Sequence, residues 1–173
     1  MSNVEQVIYV SRARPGLGGD DLARILASAR RRNPAQGLTG FLAFHGQAFL
    51  QVLEGSPAAL TSCLASLVTD TRHSQIRLVA VGPVAQRRFA TWSMGYAPVA
   101  TRHLDLLPEA RRDAAEALLQ IDADKALALL QALAADAAAT GSEATPAPLA
   151  SGAGATAGAS SLFSASSIRW PAA

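Results

Sequence analysis

The chain has 173 residues, with 15 basic and 13 acidic side chains and a formal net charge of +2. This length suits one domain of about 100 to 150 residues plus an extension. Ten Arg and five acidic residues give the part up to Thr101 a charge of +5, whereas the remainder has five basic and eight acidic residues, or −3, and an acidic second part argues against a nucleic-acid-binding protein.

The first predicted elements are a strand and an amphipathic helix. Period-two alternation over residues 7–11 puts Tyr9 on the same strand face as Val7 and Ser11. A glycine-containing turn follows, and Asp20 is suited to cap a helix that ends near Asn33. The apolar positions of this helix recur at i, i+3, i+4 and i+7: Leu22, Ile25, Leu26 and Ala29.

Two features of this helix suggest phosphate binding. Three glycines between the strand and the helix are typical of a dinucleotide site, but the third glycine position is Asp21, and Asp20 with Asp21 would repel a pyrophosphate. We therefore reject that interpretation. The run Arg30–Arg32 has two interpretations, a solvated helix end that complements the helix dipole or a phosphate contact.

A hairpin and a second helix come next. Residues 38–44 and 48–54 are predicted strands, and Phe49, Gln51 and Leu53 share one face of the second strand. An amide buried among apolar neighbours without a partner costs about 1–3 kcal/mol, so something polar should lie opposite Gln51, either Tyr9 or a ligand. A Ser-Pro pair at 56–57 begins the second helix, which ends around residues 69–71.

The remaining strands complete a known pattern. Residues 76–81 and 89–94 are predicted strands, and alternation puts Trp92 and Met94 on one face of the latter. The order βαββαββ predicts an α+β fold of the ferredoxin-like type, a sheet with two helices on one face. The groove between two such helices can bury a flat aromatic ligand.

Past residue 98 the composition changes. Leucine spacing in Ala-rich sequence, with Pro108 at a helix start, predicts one or two helices between about 105 and 138 that cover the free face of the sheet or pair with another subunit. From residue 140 small and polar residues dominate, which predicts a disordered tail, with a short docking motif at the apolar residues 162–163 and 168–170 as an alternative. We therefore divide the chain into a domain at 1–98, a helical extension at 99–139 and a tail at 140–173.

Cysteine content and hydropathy point to a compartment. The one cysteine, Cys63, excludes an intrachain disulfide, and its helical spacing predicts a core position. No apolar stretch approaches the roughly 18 residues that span a bilayer, and the N-terminus has no basic, signal-like start. We expect a soluble, cytoplasmic protein with no membrane contact and, since zinc and P-loop patterns are missing, no metal site.

The polar motifs are ambiguous one by one and specific together. Taken singly, residues 70–73 suit a charged turn, Trp92 and Met94 suit a core, and Asn33 suits a helix stop. Five segments nevertheless occur in a recognisable order and spacing: 8–11 (IYVS), 33–40 (NPAQGLTG), 49–55 (FLQVLEG), 70–73 (DTRH) and 88–94 (RFATWSM). On these segments, over about residues 4–98, the chain closely resembles the BLUF family of blue-light sensors that use flavin.

The resemblance implies a cofactor and its binding residues. The isoalloxazine ring of FAD, with FMN or riboflavin as substitutes, would lie between the two helices. Asn33 would bond the carbonyl edge of the flavin, Asp70 and Arg72 would supply other polar contacts, and His73 would lie beside the ring. The cofactor-binding set implied in this way is Ile25, Asn33, Phe49, Gln51, Leu67, Asp70, Arg72 and His73.

The resemblance also implies a photoswitch made of Tyr9, Gln51, Trp92 and Met94. Light would make the flavin an oxidant, Tyr9 would give up an electron and then a proton through Gln51, and the Gln51 amide would be left rotated or tautomerised. The signal would pass through the last strand and the C-terminal helices to an unidentified effector protein or to the assembly of a homo-oligomer. The alternatives are a light-inert flavoprotein and a flavin-dependent oxidoreductase, and we expect a sensor without enzyme activity.

Overall fold

The computed structural model describes residues 3–107 and 113–140. The order βαββαββ is confirmed and is followed by three further helices. The elements are β1 (Glu5–Ala13), α1 (Gly19–Arg32), β2 (Thr39–His45), β3 (Ala48–Gly55), α2 (Pro57–Val68), β4 (His73–Pro83), β5 (Gly95–Pro98), α3 (Thr101–Leu104), α4 (Ala114–Leu119) and α5 (Ala123–Ala139), with one 3-10 turn at Pro34–Gln36.

The sheet has five strands in the order β4-β1-β3-β2-β5. All neighbouring strands are antiparallel except β2 and β5, which are parallel. In the central pair, Tyr9 of β1 lies directly opposite Gln51 of β3. Because side chains alternate along a strand, these two residues project to the same face of the sheet.

Helices cover both faces of this sheet. On one face, α1 and α2 contribute Leu22, Leu26 and Leu60 to an apolar cluster that includes Tyr9. On the other face, α4 and α5 cover residues of β1, β2 and β3 with a second cluster. The C-terminal helices therefore cover the free face of the sheet, which was one of the two predicted arrangements.

Local signals explain where the first two helices begin. The predicted cap at Asp20 is wrong, because α1 begins at Gly19 and the Gly18 amide lies 3.4 Å from the Asp21 carboxylate. At the start of α2, Ser56 Oγ accepts from the Ala59 amide at 3.3 Å, as its sequence position predicts.

The predicted strand at residues 89–94 is wrong. These residues form an irregular segment, and the last strand is β5, which begins at Gly95. The backbone amide of Phe89 donates to the buried carboxylate of Glu54, and the Trp92 amide donates to the Phe89 carbonyl in a turn. Because these two amides donate to a side chain and to a turn carbonyl, they are not available for pairing with a neighbouring strand. Trp92 and Met94 therefore do not share a strand face.

The C-terminal region agrees in part with its prediction. Two helices, α4 and α5, lie in the expected range, and the short helix α3 was not predicted. The helix start at Pro108 and most of the expected tail, residues 141–173, lie outside the described residues. Within the described ranges, no helix combines the length and hydropathy needed to cross a bilayer.

Candidate functional site

A groove that is partly open to solvent lies between α1 and α2 above the sheet. All eight residues of the implied cofactor-binding set line it, together with Tyr9 and Met94. Trp92 does not; it packs against the cluster on the opposite face of the sheet. The groove lining is Tyr9, Ser11, Ile25, Ala29, Asn33, Leu42, Phe49, Gln51, Leu53, Cys63, Leu67, Asp70, Arg72, His73 and Met94.

Tyr9 and Gln51 form a direct hydrogen bond in the floor of the groove. Tyr9 Oη donates to Gln51 Oε1 at 2.5 Å, and Gln51 Nε2 lies 3.6 Å from the sulfur of Met94. The polar partner expected opposite Gln51 is therefore present in Tyr9. Because the Nε2 group has two N–H donors and a thioether is a weak acceptor, the amide keeps capacity for a stronger acceptor.

Burial keeps the Tyr9 phenol protonated. The ring is 2% exposed, and this burial, reinforced by the nearby Cys63 and Asp70, raises the pKa of Tyr9 well above 10.0. Ionising the phenol in this environment would cost desolvation energy. At neutral pH, Tyr9 is therefore a hydrogen-bond donor to Gln51 and not a phenolate.

The end of α1 holds the chain that leads into β5. Asn33 is 4% exposed, and its Nδ2 donates to the Ser93 carbonyl at 2.6 Å. One turn earlier in the helix, Arg30 Nε donates to the Met94 carbonyl at 3.0 Å. This contact of Arg30 was not predicted, because the run Arg30–Arg32 suggested only a solvated helix end or a phosphate contact.

Asp70 and Arg72 form a pair beside the groove. Both the backbone amide and Nε of Arg72 donate to Asp70 Oδ1 at 2.9 Å, and the guanidinium Nη2 also pairs with this carboxylate. Burial alone would raise the pKa of Asp70, but the hydrogen bonds and charge of Arg72 hold the pKa below 3.8. The carboxylate is therefore ionised at neutral pH and orients the guanidinium.

His73 begins β4 at the edge of the groove. Its Nδ1 lies 2.9 Å from Ser11 Oγ, and its ring meets Phe49 edge-on with centroids 6.3 Å apart. Burial lowers the pKa of His73 below 6.5, and the charge of Arg72 acts in the same direction while Asp70 opposes it. The imidazole is therefore mainly neutral at pH 7, which suits a position against an uncharged aromatic ligand.

Cys63 lies on the groove wall and is half-buried, although its spacing predicted a core position. Burial raises the pKa of Cys63 to about 11, against the opposing charge of Arg32. The residue is thus a protonated thiol at neutral pH. It contributes a small, weakly polar surface to the groove.

Glu54 is a second residue that the sequence analysis missed. Its side chain is 0% exposed and accepts hydrogen bonds from Gln6 Nε2 at 2.8 Å and from the amides of Arg88 and Phe89 at 3.0 Å each. The available signal was an acidic residue at the end of an apolar strand. Burying a carboxylate requires donors of this kind, so its position predicts a polar anchor.

The lining residues fit a flat heteroaromatic ligand. Apolar side chains form most of the groove surface, and three residues that carry N–H donors, Asn33, Gln51 and Arg72, line it from separate parts of the chain. A flavin has this chemistry, since its apolar ring system carries carbonyl and ring-nitrogen acceptors along one edge. A family model described as "Sensors of blue-light using FAD", the BLUF model, matches residues 4–95.

The chain belongs to the BLUF family. The match covers more than half of the chain. Among curated proteins, this BLUF chain is 30% identical over 94 residues to photoactivated adenylate cyclase subunit beta of Euglena longa, and 31% identical over 87 residues to that of Euglena gracilis. These matches include 54% and 50% of this chain, but only 11% and 10% of the relatives, so the chain spans about a tenth of their length.

Solved BLUF structures have the same fold. The dark-state structure of BlrB is 28% identical, with a TM-score of 0.64, and the match covers 79% of this chain and 98% of BlrB. The photo-activated state of BlsA gives a TM-score of 0.67 at 23% identity, with coverage of 75% and 94%. A bacterial light-regulated adenylyl cyclase gives a TM-score of 0.60 at 18% identity, and the match covers 75% of this chain and 40% of the cyclase chain. The predicted ferredoxin-like fold is therefore confirmed.

Proposed function

We propose that this BLUF protein is a blue-light photoreceptor whose switch is the hydrogen-bonded pair Tyr9 and Gln51. The observation that carries the proposal is the 2.5 Å bond from Tyr9 Oη to Gln51 Oε1 in the floor of the groove. It places an oxidisable side chain in contact with an amide that can exchange its donor and acceptor ends. Membership of a family of blue-light sensors that use FAD supports this function.

The cofactor proposed for the groove is FAD, with FMN and riboflavin as substitutes that carry the same ring. Ile25, Phe49 and Leu67 would form apolar walls, and Asn33, Asp70, Arg72 and His73 would form the polar side. Arg72 is held by Asp70, and an oriented guanidinium still has N–H donors to offer. Acid extraction of the purified protein followed by chromatography would identify the bound flavin.

The groove residues would perform the switch in two steps. Bound flavin supplies a strong one-electron oxidant when it absorbs blue light. Tyr9 is the electron donor, and its proton moves along the existing hydrogen bond to Gln51 Oε1. When the electron and the proton return to Tyr9, the Gln51 amide is left rotated or tautomerised, so that it presents a different donor to the groove.

The energy of one exchanged hydrogen bond is sufficient for signalling. A net difference of about 1 kcal/mol between the two amide orientations changes a two-state ratio by roughly fivefold. Tyr9 is buried at the base of the groove, and a low local dielectric strengthens the effect of a misdirected donor there. Met94, whose sulfur is 3.6 Å from Gln51 Nε2, is the neighbour that would respond.

The response would reach the C-terminal helices through the segment that carries Trp92. Its ring meets Phe41 edge-on at a centroid distance of 5.5 Å and packs with the cluster beneath α4 and α5. We propose that residues 1–98 sense light, that the helical extension transmits the state, and that a separate effector protein or a second copy of the chain receives it. The light-regulated cyclases among the similar proteins support a role in controlling a partner activity.

Absorption spectroscopy of the purified full chain tests this function. The sensor is expected to be yellow, to shift its flavin bands to longer wavelength under blue light, and to recover in the dark without a reductant. A bound flavin whose spectrum does not respond to light would make the protein a light-inert flavoprotein. Bleaching that requires an electron donor would instead indicate a flavin-dependent oxidoreductase, and either result would overturn the proposal.

A further inference from the structure

The last turn of α1 holds the backbone of the segment that enters β5 at two successive carbonyl groups. Asn33 Nδ2 donates to the Ser93 carbonyl at 2.6 Å, and Arg30 Nε donates to the Met94 carbonyl at 3.0 Å. Two consecutive carbonyls held by one helix leave the intervening peptide little freedom. The position of Met94 therefore depends on the side chains of α1 as well as on β5.

The carbonyl held by Arg30 belongs to the residue that faces the Gln51 amide. Met94 is 1% exposed, and its sulfur lies 3.6 Å from Gln51 Nε2. Movement of its backbone would carry the sulfur toward or away from this amide. Arg30 thus acts on Gln51 through Met94, although its own hydrogen bond is to a backbone carbonyl.

One N–H donor group of Arg30 is unused, and an unused buried donor lowers the stability of the fold. Its Nη2 is buried and has no hydrogen-bond partner among the described residues. An unpaired buried donor costs about 1–3 kcal/mol, and more on a charged group. A guanidinium with a spare donor can donate to a second carbonyl when the segment moves, so it can hold the segment in more than one position.

The far end of the same segment is also fixed. The Glu54 carboxylate accepts from the amides of Arg88 and Phe89 at 3.0 Å. Because this anchor lies at the start of the segment and the contact of Arg30 lies at its end, the residues between them are constrained from both sides. A rearrangement at Met94 must therefore break or re-form the contact with Arg30.

We propose that Arg30 is a positioning residue of the switch, whose hold on the Met94 carbonyl sets the rate at which the Met94 and Gln51 arrangement returns after illumination. This inference rests on the proposed function, because it assumes a reversible light reaction. Removing the contact lowers the barrier to rearrangement in both directions. Arg30→Ala should therefore retain flavin and recover in the dark about fivefold faster, the factor that corresponds to one hydrogen bond of about 1 kcal/mol.

Two further variants separate positioning from charge and from folding. Arg30→Lys keeps a donor that can reach one carbonyl, and its recovery rate should return to within about twofold of wild type. Arg31→Ala removes the same charge from the same helix at an exposed position, and it should recover at the wild-type rate. If Arg30→Ala does not fold, Arg30→Leu replaces it because its side chain has no donor, and a wild-type recovery rate in Arg30→Leu would overturn the proposal.

An NMR measurement tests the contact between Arg30 and Met94 without using the light reaction. The chain has two methionines, Met1 and Met94, so methyl labelling of methionine in the flavin-loaded full chain gives two signals, and Met94→Leu identifies the signal of Met94. This signal should shift in Arg30→Ala in the dark and stay unchanged in Arg31→Ala. A wild-type protein that does not respond to light refutes the proposed function. A photoactive Arg30→Ala variant that recovers at the wild-type rate refutes the role of Arg30, whether or not the methyl signal of Met94 shifts in that variant.

Discussion

Trp92 and Met94 are separated by one residue in the chain but pack on opposite faces of the sheet. Met94 lies in the groove between α1 and α2, with its sulfur 3.6 Å from Gln51 Nε2. Trp92 packs with Phe41 in the cluster that α4 and α5 cover. A single displacement of the intervening peptide therefore changes the packing on both faces, which connects the groove with the helical extension.

Replacement of Tyr9 by Phe tests the electron and proton donor. Tyr9→Phe keeps the ring in the groove wall and removes the hydroxyl that donates to Gln51. We expect flavin content close to wild type and loss of the reversible red shift under blue light, measured by absorption spectroscopy. Tyr96→Phe is the control, because Tyr96 is buried in the same cluster but does not line the groove. A normal light response of Tyr9→Phe would refute the assigned role.

Replacement of Gln51 by Leu tests the switching amide. The apolar side chain has a similar size, so the groove should still bind flavin, but it cannot donate or accept a hydrogen bond. We expect the reversible red shift to disappear while flavin occupancy is retained. Gln47→Leu, at an exposed position in the β2–β3 turn, is expected to behave as wild type. A full shift in Gln51→Leu would mean that another group carries the signal.

Asn33 should contribute to cofactor retention more than to switching. Asn33→Ala removes a buried amide that lines the groove and also leaves the Ser93 carbonyl without its donor at 2.6 Å. Loss of one such bond is worth about 1 kcal/mol, so flavin affinity should fall by roughly fivefold or more. The flavin-to-protein ratio after purification measures this, with the exposed Asn3→Ala as the matched control. Unchanged occupancy in Asn33→Ala would contradict the binding role.

Glu54 is expected to stabilise the fold rather than to bind the cofactor. Its two carboxylate oxygens accept three N–H groups in a fully buried position, and Glu54→Gln would turn an NH₂ group toward one of these donors. We expect the free energy of unfolding to fall by about 2–3 kcal/mol. Chemical denaturation measures the change, and Glu116→Gln, which affects an exposed ion pair with Arg12, should cost less than about 1 kcal/mol. Equal losses in the two variants would contradict the anchor.

The sequence allowed the element order and the central pair of the site to be predicted. Strand alternation placed Tyr9 and Gln51 on faces that meet in the β1–β3 register, and helical spacing placed Ile25 on the apolar face of α1. The same alternation wrongly predicted a strand that carries Trp92 and Met94. These two residues pack into different apolar clusters from an irregular segment, and their spacing in the sequence looks like that of a strand.

Contacts between distant elements could not be predicted from periodicity. Arg30 belongs to a basic run whose members look alike in sequence, yet only the fold brings its guanidinium to the Met94 carbonyl, 64 positions later. The three donors to Glu54 likewise come from β1 and from the segment after β4. Such bonds depend on how elements pack, whereas spacing reports only which residues of one element share a face.

The pH dependence of stability should reveal the environment of His73. Burial, followed by the charge of Arg72, lowers the pKa of His73 below 6.5 in the folded protein, although Asp70 opposes this shift. The imidazole of the unfolded chain takes up a proton near pH 6.5, whereas that of the folded protein does so only at a lower pH. The stability that depends on a neutral His73 is therefore fully present above about pH 6.5, and it is lost as the pH falls through the lower pKa of the folded state.

Thermal unfolding followed from about pH 7.5 to about pH 5.5 measures this effect, since the usual pKa of His lies within that window. The midpoint should fall across the window in the wild type and fall less in His73→Gln, which has no titrating ring. The Asp70 carboxylate does not contribute in this range, because Arg72 holds the pKa of Asp70 below 3.8. The same fall in both proteins, or an NMR titration that places the pKa of His73 at or above 6.5, would show that the imidazole is not desolvated and that the groove edge is open to water.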